Sequence, residues 1–316
     1  IAMFLVWGIY LPKSANSAQV VFSVKKGSDA ALISKDHQPK GIIKNKTFFN
    51  MYAFLTGRHS KLQAGKYNFS ASMPVFEIIN KLSAGDTIKD SITILEGYTI
   101  SDIDKLIEKK ELYPKDEFLN SAKQDFSKDS PFLKDKPQNA SLEGYIFPDT
   151  YFVSQGQNLH DLIKTALSNF GKKLTSELTN EISKQKKSIF EIVTMASMIE
   201  KEVRSLEDKK IVSGILWKRL SAGVPLQVDA TVNYVTGKKP ATTAISDTKI
   251  DSPYNTYQNP GLPAGPISNP GLESILAAIY PTESQYWYYL SANGSGKTIF
   301  SKTLDEHNTA RAKYLR

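Results

Sequence analysis

Cysteine is absent from this 316-residue chain. A thiol nucleophile, a thiolate metal site and a disulfide framework are therefore excluded. Histidine is also scarce: the four histidines, at positions 37, 59, 160 and 307, are too widely spaced to form a ligand pair on one helix turn. A zinc enzyme is not expected, and the sequence predicts neither a metal nor another cofactor.

No dense run of basic residues occurs, although the net charge is +8. A positive balance suits any anionic surface, such as membrane headgroups, wall polymers or nucleic acid. Because the basic residues are dispersed and no nucleic-acid-binding motif appears, we expect no nucleic-acid partner. A hydrophobic fraction of 41% is typical of a folded chain, which at this length holds one large domain or two smaller ones.

The first eleven residues are predominantly apolar and end at a polar break, Pro12 to Asn16. Eleven residues are too few to cross a bilayer, which needs about 20. Because the numbering begins at Ile and no small-x-small cleavage site fits, we interpret residues 1–12 as the C-terminal part of a transmembrane anchor. A signal-peptide core or an ordinary buried segment is the alternative. Residues 13–19 would then be a linker.

Strand and helix patterns alternate irregularly along the rest, which predicts an α+β fold. A small α/β module is expected over residues 20–90, and a larger α+β domain with a helical core over residues 91–316. Thr99 and Asp102, like Ser188 and Glu191, form capping-box patterns. The predicted strands cover residues 20–24, 62–69, 91–95, 286–290 and 298–300; the main predicted helices of the larger domain cover 158–184, 188–204, 207–222 and 272–279.

Two glutamates end the helix predicted over residues 188–204. At 100° per residue, Glu200 lies at the edge of the apolar stripe, and Glu202 lies on the opposite flank beside Met195 and Met198. The two carboxyls point about 200° apart and cannot both line one cleft. A carboxyl beside apolar side chains is desolvated, which raises its pKa toward the range of a proton donor. The alternative is a solvated, charged helix end.

A proline- and glycine-rich segment, residues 252–271, has no regular pattern. Its residues Tyr254, Asn255, Thr256 and Tyr257 combine aromatic rings with amide and hydroxyl groups, which suit a sugar ring with apolar faces and a polar rim. A structural loop whose tyrosines pack on the core is the alternative. Gln227 and Asp229 are further polar candidates, or else turn and cap residues.

Three segments together resemble the YceG-like family of endolytic murein transglycosylases. They are residues 143–151 (EGYIFPDTY), residues 196–202 (ASMIEKE) with 217–220 and 226–232 (LQVDATV) downstream, and residues 252–257 (SPYNTY) leading to 261–267 (GLPAGPI). Their order and spacing match the family over nearly the whole chain. Residues 64–67 and 83–85 are similar to the family's LysM-like module. Val203 and Ala230 depart from the common residues without removing a functional group.

The resemblance implies a single-pass protein of the bacterial inner membrane with an extracytoplasmic body. It implies cleavage of the MurNAc–GlcNAc bond in nascent glycan strands of peptidoglycan, with peptidoglycan synthases as candidate partners. The family's catalytic glutamate lies in the Glu-Lys-Glu element. We assign it to Glu202, because Lys-Glu-Val resembles the Glu-Ser element of other lytic transglycosylases and because of its flank, with Glu200 as the alternative. Gln227, Asp229 and residues 254–257 are the expected substrate contacts.

One carboxyl used twice explains the implied reaction. It protonates the glycosidic oxygen and then accepts a proton from the C6 hydroxyl, which closes a 1,6-anhydro ring. No water is consumed, so a second carboxylate is not required, and Asp229 is the candidate if one exists. The alternatives are a muramidase-type hydrolase and a non-catalytic protein that binds peptidoglycan as a scaffold.

Overall fold

The computed structural model of the chain describes residues 2–25, 27–37, 41–43, 45–154, 157–238, 244–292 and 296–315. Helices dominate, and the strands of the described residues form three two-stranded sheets, so the predicted α+β class is confirmed. The chain divides into two units. The first contains residues 1–92 and 152–158, and the second contains residues 93–151 and 159–316.

The first unit packs helices against a small antiparallel sheet. Strands β1 (Val20–Val24) and β2 (Gly65–Phe69) pair with Phe22 opposite Tyr67, and their alternate side chains are buried. Its helices are α1 (Ala2–Tyr10), α2 (Ala30–His37), α3 (Lys46–Leu55) and α4 (Val75–Ala84). Gly85, with a φ of 69°, ends α4, because glycine adopts the left-handed conformation without a steric penalty. Whether this unit is LysM-like stays a prediction.

The N-terminal helix α1 is nine residues long and apolar. Within the first unit it packs against α3 and α4. In the part of the chain that the structure describes, no helix has the length and apolar character needed to cross a membrane.

The second unit is built mainly from helices. In this unit β5 (Tyr288–Ser291) pairs antiparallel with β6 (Thr298–Ser301). Strands β3 (Lys89–Thr93) and β4 (Thr150–Ser154) form another sheet, and most of their residues, 89–92 and 152–154, belong to the first unit. Short 3₁₀ helices cover Pro131–Leu133 and Asp247–Lys249. The helices are α5 (Ile100–Lys109), α6 (Glu117–Ser121), α7 (Leu159–Lys173), α8 (Ser176–Lys184), α9 (Ile189–Glu202), α10 (Leu206–Ser221), α11 (Asp229–Thr236), α12 (Leu272–Ile279) and α13 (Leu304–Tyr314).

Several predicted boundaries need correction. The single helix expected over residues 158–184 is two helices, because Thr175 leaves the helical conformation and caps α8 by accepting from the Leu178 N–H. Strand β4 and helices α11 and α13 were not predicted. Helix α11 lacks a side-chain cap at Val228, whereas α13 carries a Thr303–Glu306 capping box that its sequence contains.

Helix α9 is the centre of the second unit. Its predicted Ser188–Glu191 capping box is present, and every side chain from Ile192 to Ile199 is buried. The helix contacts α8, α10, α11 and α12. Burial of Met195 and Met198 confirms that both faces of α9 are covered, so the glutamates at its C-terminal end stand at the rim of the core.

Gly144 allows the 143–149 segment to approach α9 closely. Its φ is 89°, and a Cβ atom there would lie 2.6 Å from a carbon of Pro266 and 2.7 Å from a carbon of Val193. Left-handed backbone and close approach both require glycine at this position.

Gly144→Ala should lower the free energy of unfolding by about 3 kcal/mol, since it adds overpacking to backbone strain. Gly223→Ala is the matched control: its φ is 68° but no atom lies within 4 Å of the added Cβ, so only strain of about 1 kcal/mol is expected. Denaturant unfolding of both variants measures the difference, and equal losses would contradict the close-packing explanation.

Candidate active site

Glu200 is held by three partners inside the second unit. Its carboxylate lies 3.4 Å from Nζ of Lys209, and it accepts the Gly271 N–H at 2.9 Å and the Ser274 hydroxyl at 2.7 Å. The Lys209 side chain is only 3% exposed. A buried ammonium needs a counter-charge, so Glu200 stabilises the packing of α9 against α10 and α12.

Glu202, two residues further on, has a different environment. Its partly buried carboxyl accepts hydrogen bonds from the Tyr289 hydroxyl and from the Ala230 N–H. Burial, and then the nearby charge of Asp229, raise the pKa of Glu202 to about 7, against the opposing effect of the two hydrogen bonds. As the helical spacing predicts, Glu200 and Glu202 point to different sides of α9 and contact different residues.

Asp229 and Ala230, the first two residues of helix α11, lie beside Glu202. Asp229 is exposed and accepts the Tyr257 hydroxyl at 2.6 Å. The Gln227 side chain is also exposed. Its backbone has a φ of 54°, which is unusual for a residue other than glycine. The structure therefore brings together three of the predicted residues, Glu202, Asp229 and Tyr257, and places Gln227 two residues before Asp229.

The other predicted loop residues occupy different positions. Asn255 and Thr256 are each 1% exposed: the Asn255 amide donates to the Thr248 and Ile250 carbonyls, which precede the loop, and the Thr256 hydroxyl accepts the Val228 N–H at 3.0 Å. Both side chains attach the loop to neighbouring segments, so direct contact with a ligand is not available to them in this structure. Tyr254 is half-buried, with its ring 5.1 Å from that of Tyr234.

A second buried carboxyl belongs to Glu143. It accepts the Ile100 N–H, the Asn269 amide at 3.1 Å and the Tyr234 hydroxyl at 3.2 Å, and it is 4% exposed. Burial raises its pKa to about 8. Because it is buried and accepts from three separate segments, Glu143 joins these segments of the fold.

Sequence reasoning missed two residues near Glu202. Tyr289 lies on β5 and bonds to the Glu202 carboxyl, and Arg219 is buried at the end of α10 beside Tyr288. Tyr289 was within a predicted strand, but no sequence pattern indicates which face of a short strand meets a helix from far along the chain. Arg219 was within a family segment without a role of its own.

The arrangement places a carboxyl with a raised pKa beside a second carboxyl. A group with a pKa of about 7, as burial and Asp229 give Glu202, is suited both to donate and to accept a proton at pH 7. Among the described residues, no three His, Cys, Asp or Glu side chains are grouped so as to hold a metal ion.

Known proteins are similar to this chain in sequence and in fold. The model of the YceG-like family matches residues 22–313. An endolytic murein transglycosylase of Bacillus subtilis is 34% identical over 308 residues, covering 94% of this chain and 85% of the relative. One from Streptococcus pneumoniae is 30% identical over 333 residues, covering 96% of this chain but only 60% of the relative. A crystal structure of a yceG-like protein from Listeria monocytogenes is 32% identical, with a TM-score of 0.64 over 93% of this chain and 99% of that one.

The fold thus places the chain among α+β proteins whose larger unit is built on a helical core. More narrowly, the chain belongs to the YceG-like family.

Glu200→Gln should lower the free energy of unfolding by about 3 kcal/mol, because it leaves the buried Lys209 without its main counter-charge. The same substitution at Glu202 should not lower stability and should raise it at pH 8, since a raised pKa means that the carboxylate present at that pH is disfavoured in the folded state. Denaturant unfolding of the two variants compares them, and the reverse order would refute the structural assignment of Glu200.

Proposed function

We propose that the chain is an endolytic peptidoglycan lytic transglycosylase, which cleaves the MurNAc–GlcNAc bond of glycan strands and leaves 1,6-anhydro-MurNAc ends. Membership of the YceG-like family and the names of its relatives support this class of activity. The observation that carries the proposal is the environment of Glu202. It is a carboxyl raised to a pKa of about 7 by burial and by Asp229.

In the first step, the neutral Glu202 carboxylic acid protonates the glycosidic oxygen. The bond from MurNAc C1 to that oxygen breaks, and the GlcNAc-containing fragment leaves with a new hydroxyl. Positive charge develops at C1 and the ring oxygen in an oxocarbenium-like transition state. The carboxylate of Asp229 supplies nearby negative charge, which stabilises this centre.

In the second step, the Glu202 carboxylate accepts the proton of the MurNAc C6 hydroxyl. The C6 oxygen then attacks C1 and closes the anhydro ring, and Glu202 returns to its starting acid form. Acid/base assistance of this kind contributes roughly 10²–10⁴-fold to a rate. The hydrogen bonds from Tyr289 and the Ala230 N–H stabilise the carboxylate between the two steps.

Substrate contacts are proposed for the exposed and half-exposed polar groups around Glu202. Gln227 and Asp229 are exposed, and the rings of Tyr254 and Tyr257 are partly exposed on the 252–271 loop. Aromatic faces pack against the apolar faces of sugar rings, and amide and carboxylate groups bond to their hydroxyls. For Asn255 and Thr256, a supporting role in holding this loop replaces direct contact.

We further propose that the protein is anchored in the bacterial cytoplasmic membrane through its N-terminal apolar segment, with its body outside the membrane. The apolar composition of residues 2–10 supports an anchor, and a substrate in the cell wall requires an extracytoplasmic site. Peptidoglycan synthases are the proposed partners, because they supply nascent strands.

Glu202→Gln should abolish release of glycan fragments, since an amide neither donates the proton nor accepts it back. Mass spectrometry of digested, purified glycan strands should show 1,6-anhydro ends for the natural chain and none for the variant. The matched control is the exposed Glu207→Gln, which should retain full activity. Reducing ends would indicate a muramidase-type hydrolase, and strand binding without any product would indicate a scaffold. A fully active Glu202→Gln would shift the assignment to Glu200.

Deletion of residues 1–12 should move the protein from the membrane pellet to the soluble fraction of producing cells. Deletion of residues 14–19 is the control and should leave the protein in the pellet. Fractionation with immunoblotting measures both, and added protease should digest the body in intact spheroplasts. Retention of the first variant in the pellet would contradict the proposed anchor.

A further inference from the structure

Arg219 is a buried cation without an acidic partner. It is 6% exposed at the end of α10, and no ion pair to it occurs among the described residues. One guanidinium nitrogen donates to the Pro225 carbonyl and to Oε1 of Gln227, each at 2.7 Å, while the Nε–H has no acceptor in the described part of the chain. Burying a guanidinium without an anionic partner costs free energy, which its hydrogen bonds to neutral groups offset only in part.

Those bonds hold a strained turn. Gln227 has a φ of 54°, a conformation that costs about 1 kcal/mol or more for a residue with a side chain. From the other side, the Gln227 N–H donates to the Thr256 carbonyl at 3.1 Å and the Val228 N–H donates to the Thr256 hydroxyl. The turn is therefore clamped between Arg219 and Thr256.

The clamped turn leads directly to the groups around Glu202. Asp229 and Ala230 follow Gln227 by two and three residues, and the Ala230 N–H bonds to the Glu202 carboxyl. The residue after Thr256 is Tyr257, whose hydroxyl donates to Asp229 at 2.6 Å. A change in the turn would move both the charge and the donor that face Glu202.

Arg219 also lies beside the strand that carries Tyr289. Its guanidinium carbon is 5.7 Å from the ring centroid of Tyr288, and its charge acts on the Tyr289 hydroxyl, which bonds to Glu202. The groups that face the Glu202 carboxyl are thus Asp229 and Ala230 from α11 and Tyr289 from β5, with Tyr257 nearby on the loop. The side-chain hydrogen bonds of Arg219 go to Pro225 and Gln227, and in the described part of the chain none joins it directly to Glu202.

We propose that Arg219 is a positioning residue for Glu202: by holding Gln227 in its left-handed conformation, it fixes Asp229 and the Ala230 N–H against the Glu202 carboxyl. The inference rests on the proposed role of Glu202 as the acid/base group. It extends that role to a residue 17 positions along the chain, through the turn of residues 225–229.

The pH dependence of cleavage distinguishes positioning from general stabilisation. Glu202 must be protonated to act as an acid, so kcat/KM should fall as the pH rises through about 7. The Asp229 charge disfavours the carboxylate and raises that pKa, and its effect exceeds the opposing one of the Ala230 N–H. Asp229→Asn should therefore move the alkaline limb to lower pH, and loosening the turn should move it in the same direction.

Arg219→Lys should lower kcat on purified, uncrosslinked glycan strands at least tenfold, with little change in KM, and should shift the alkaline limb to lower pH. In the double variant with Asp229→Asn, the shift should be no larger than that of Asp229→Asn alone, because both changes act through one group. Arg204→Lys is the matched control: this exposed arginine lies two residues from Glu202, and the variant should keep the natural profile.

If circular dichroism shows that Arg219→Lys is not folded, Gln227→Met tests the role of Arg219 instead. The side chain is exposed, so the fold should survive, while loss of Oε1 removes the bond from Arg219 and should shift the limb in the same direction. An unchanged alkaline limb in the folded variants, or a shift that adds fully to that of Asp229→Asn, overturns the inference. An active Glu202→Gln would instead refute the assignment of Glu202 itself.

Discussion

The second unit depends on the buried bond between Asn269 and Glu143. The Asn269 side chain is fully buried, accepts the Ile146 N–H at 2.8 Å, and donates to the Tyr98 carbonyl and to Glu143. Glu143 in turn accepts the Tyr234 hydroxyl of α11. One amide and one carboxyl thus join the 143–149 segment, the start of α5, the 252–271 loop and α11. Any of these groups left without its partner would be a buried, unsatisfied polar group, so these bonds stabilise the observed conformation of the irregular loop.

Two carboxyls on one helix end have different environments because their neighbours differ. Glu200 contacts a buried ammonium and two further donors, and these contacts stabilise the packing of helices. For Glu202, burial and then the nearby Asp229 carboxylate disfavour the charged form and raise the pKa. The distinction arises from α10, α11 and α12, which all contact α9. Helical spacing separates the two side chains, but only the surrounding elements determine which of them is available for proton transfer.

Local signals in the sequence predicted local structure well. The capping boxes at Thr99 and Ser188 are present, and helix α9 lies within two residues of its predicted bounds. Flank geometry also separated the partners of Glu200 from those of Glu202. Features that depend on distant segments were not predictable: α11 begins without a capping side chain, and the approach of Tyr289 requires the β5–β6 hairpin to reach α9. Loop composition suggested four contact residues, yet a polar residue such as Asn255 serves equally well to attach a loop to the segment before it.

A carboxyl that titrates at about 7 has an energetic symmetry. At neutrality its two protonation states differ by almost no free energy, so donation in one half-reaction and acceptance in the next are equally accessible. Each unit by which the pKa of Glu202 differed from the pH would favour one half-reaction by about 1.4 kcal/mol and hinder the other by the same amount. The neighbours of Glu202 therefore set the relative ease of the proton donation and the proton acceptance that follow one another. The pKa of Glu202 would determine which of these two steps limits the rate of turnover.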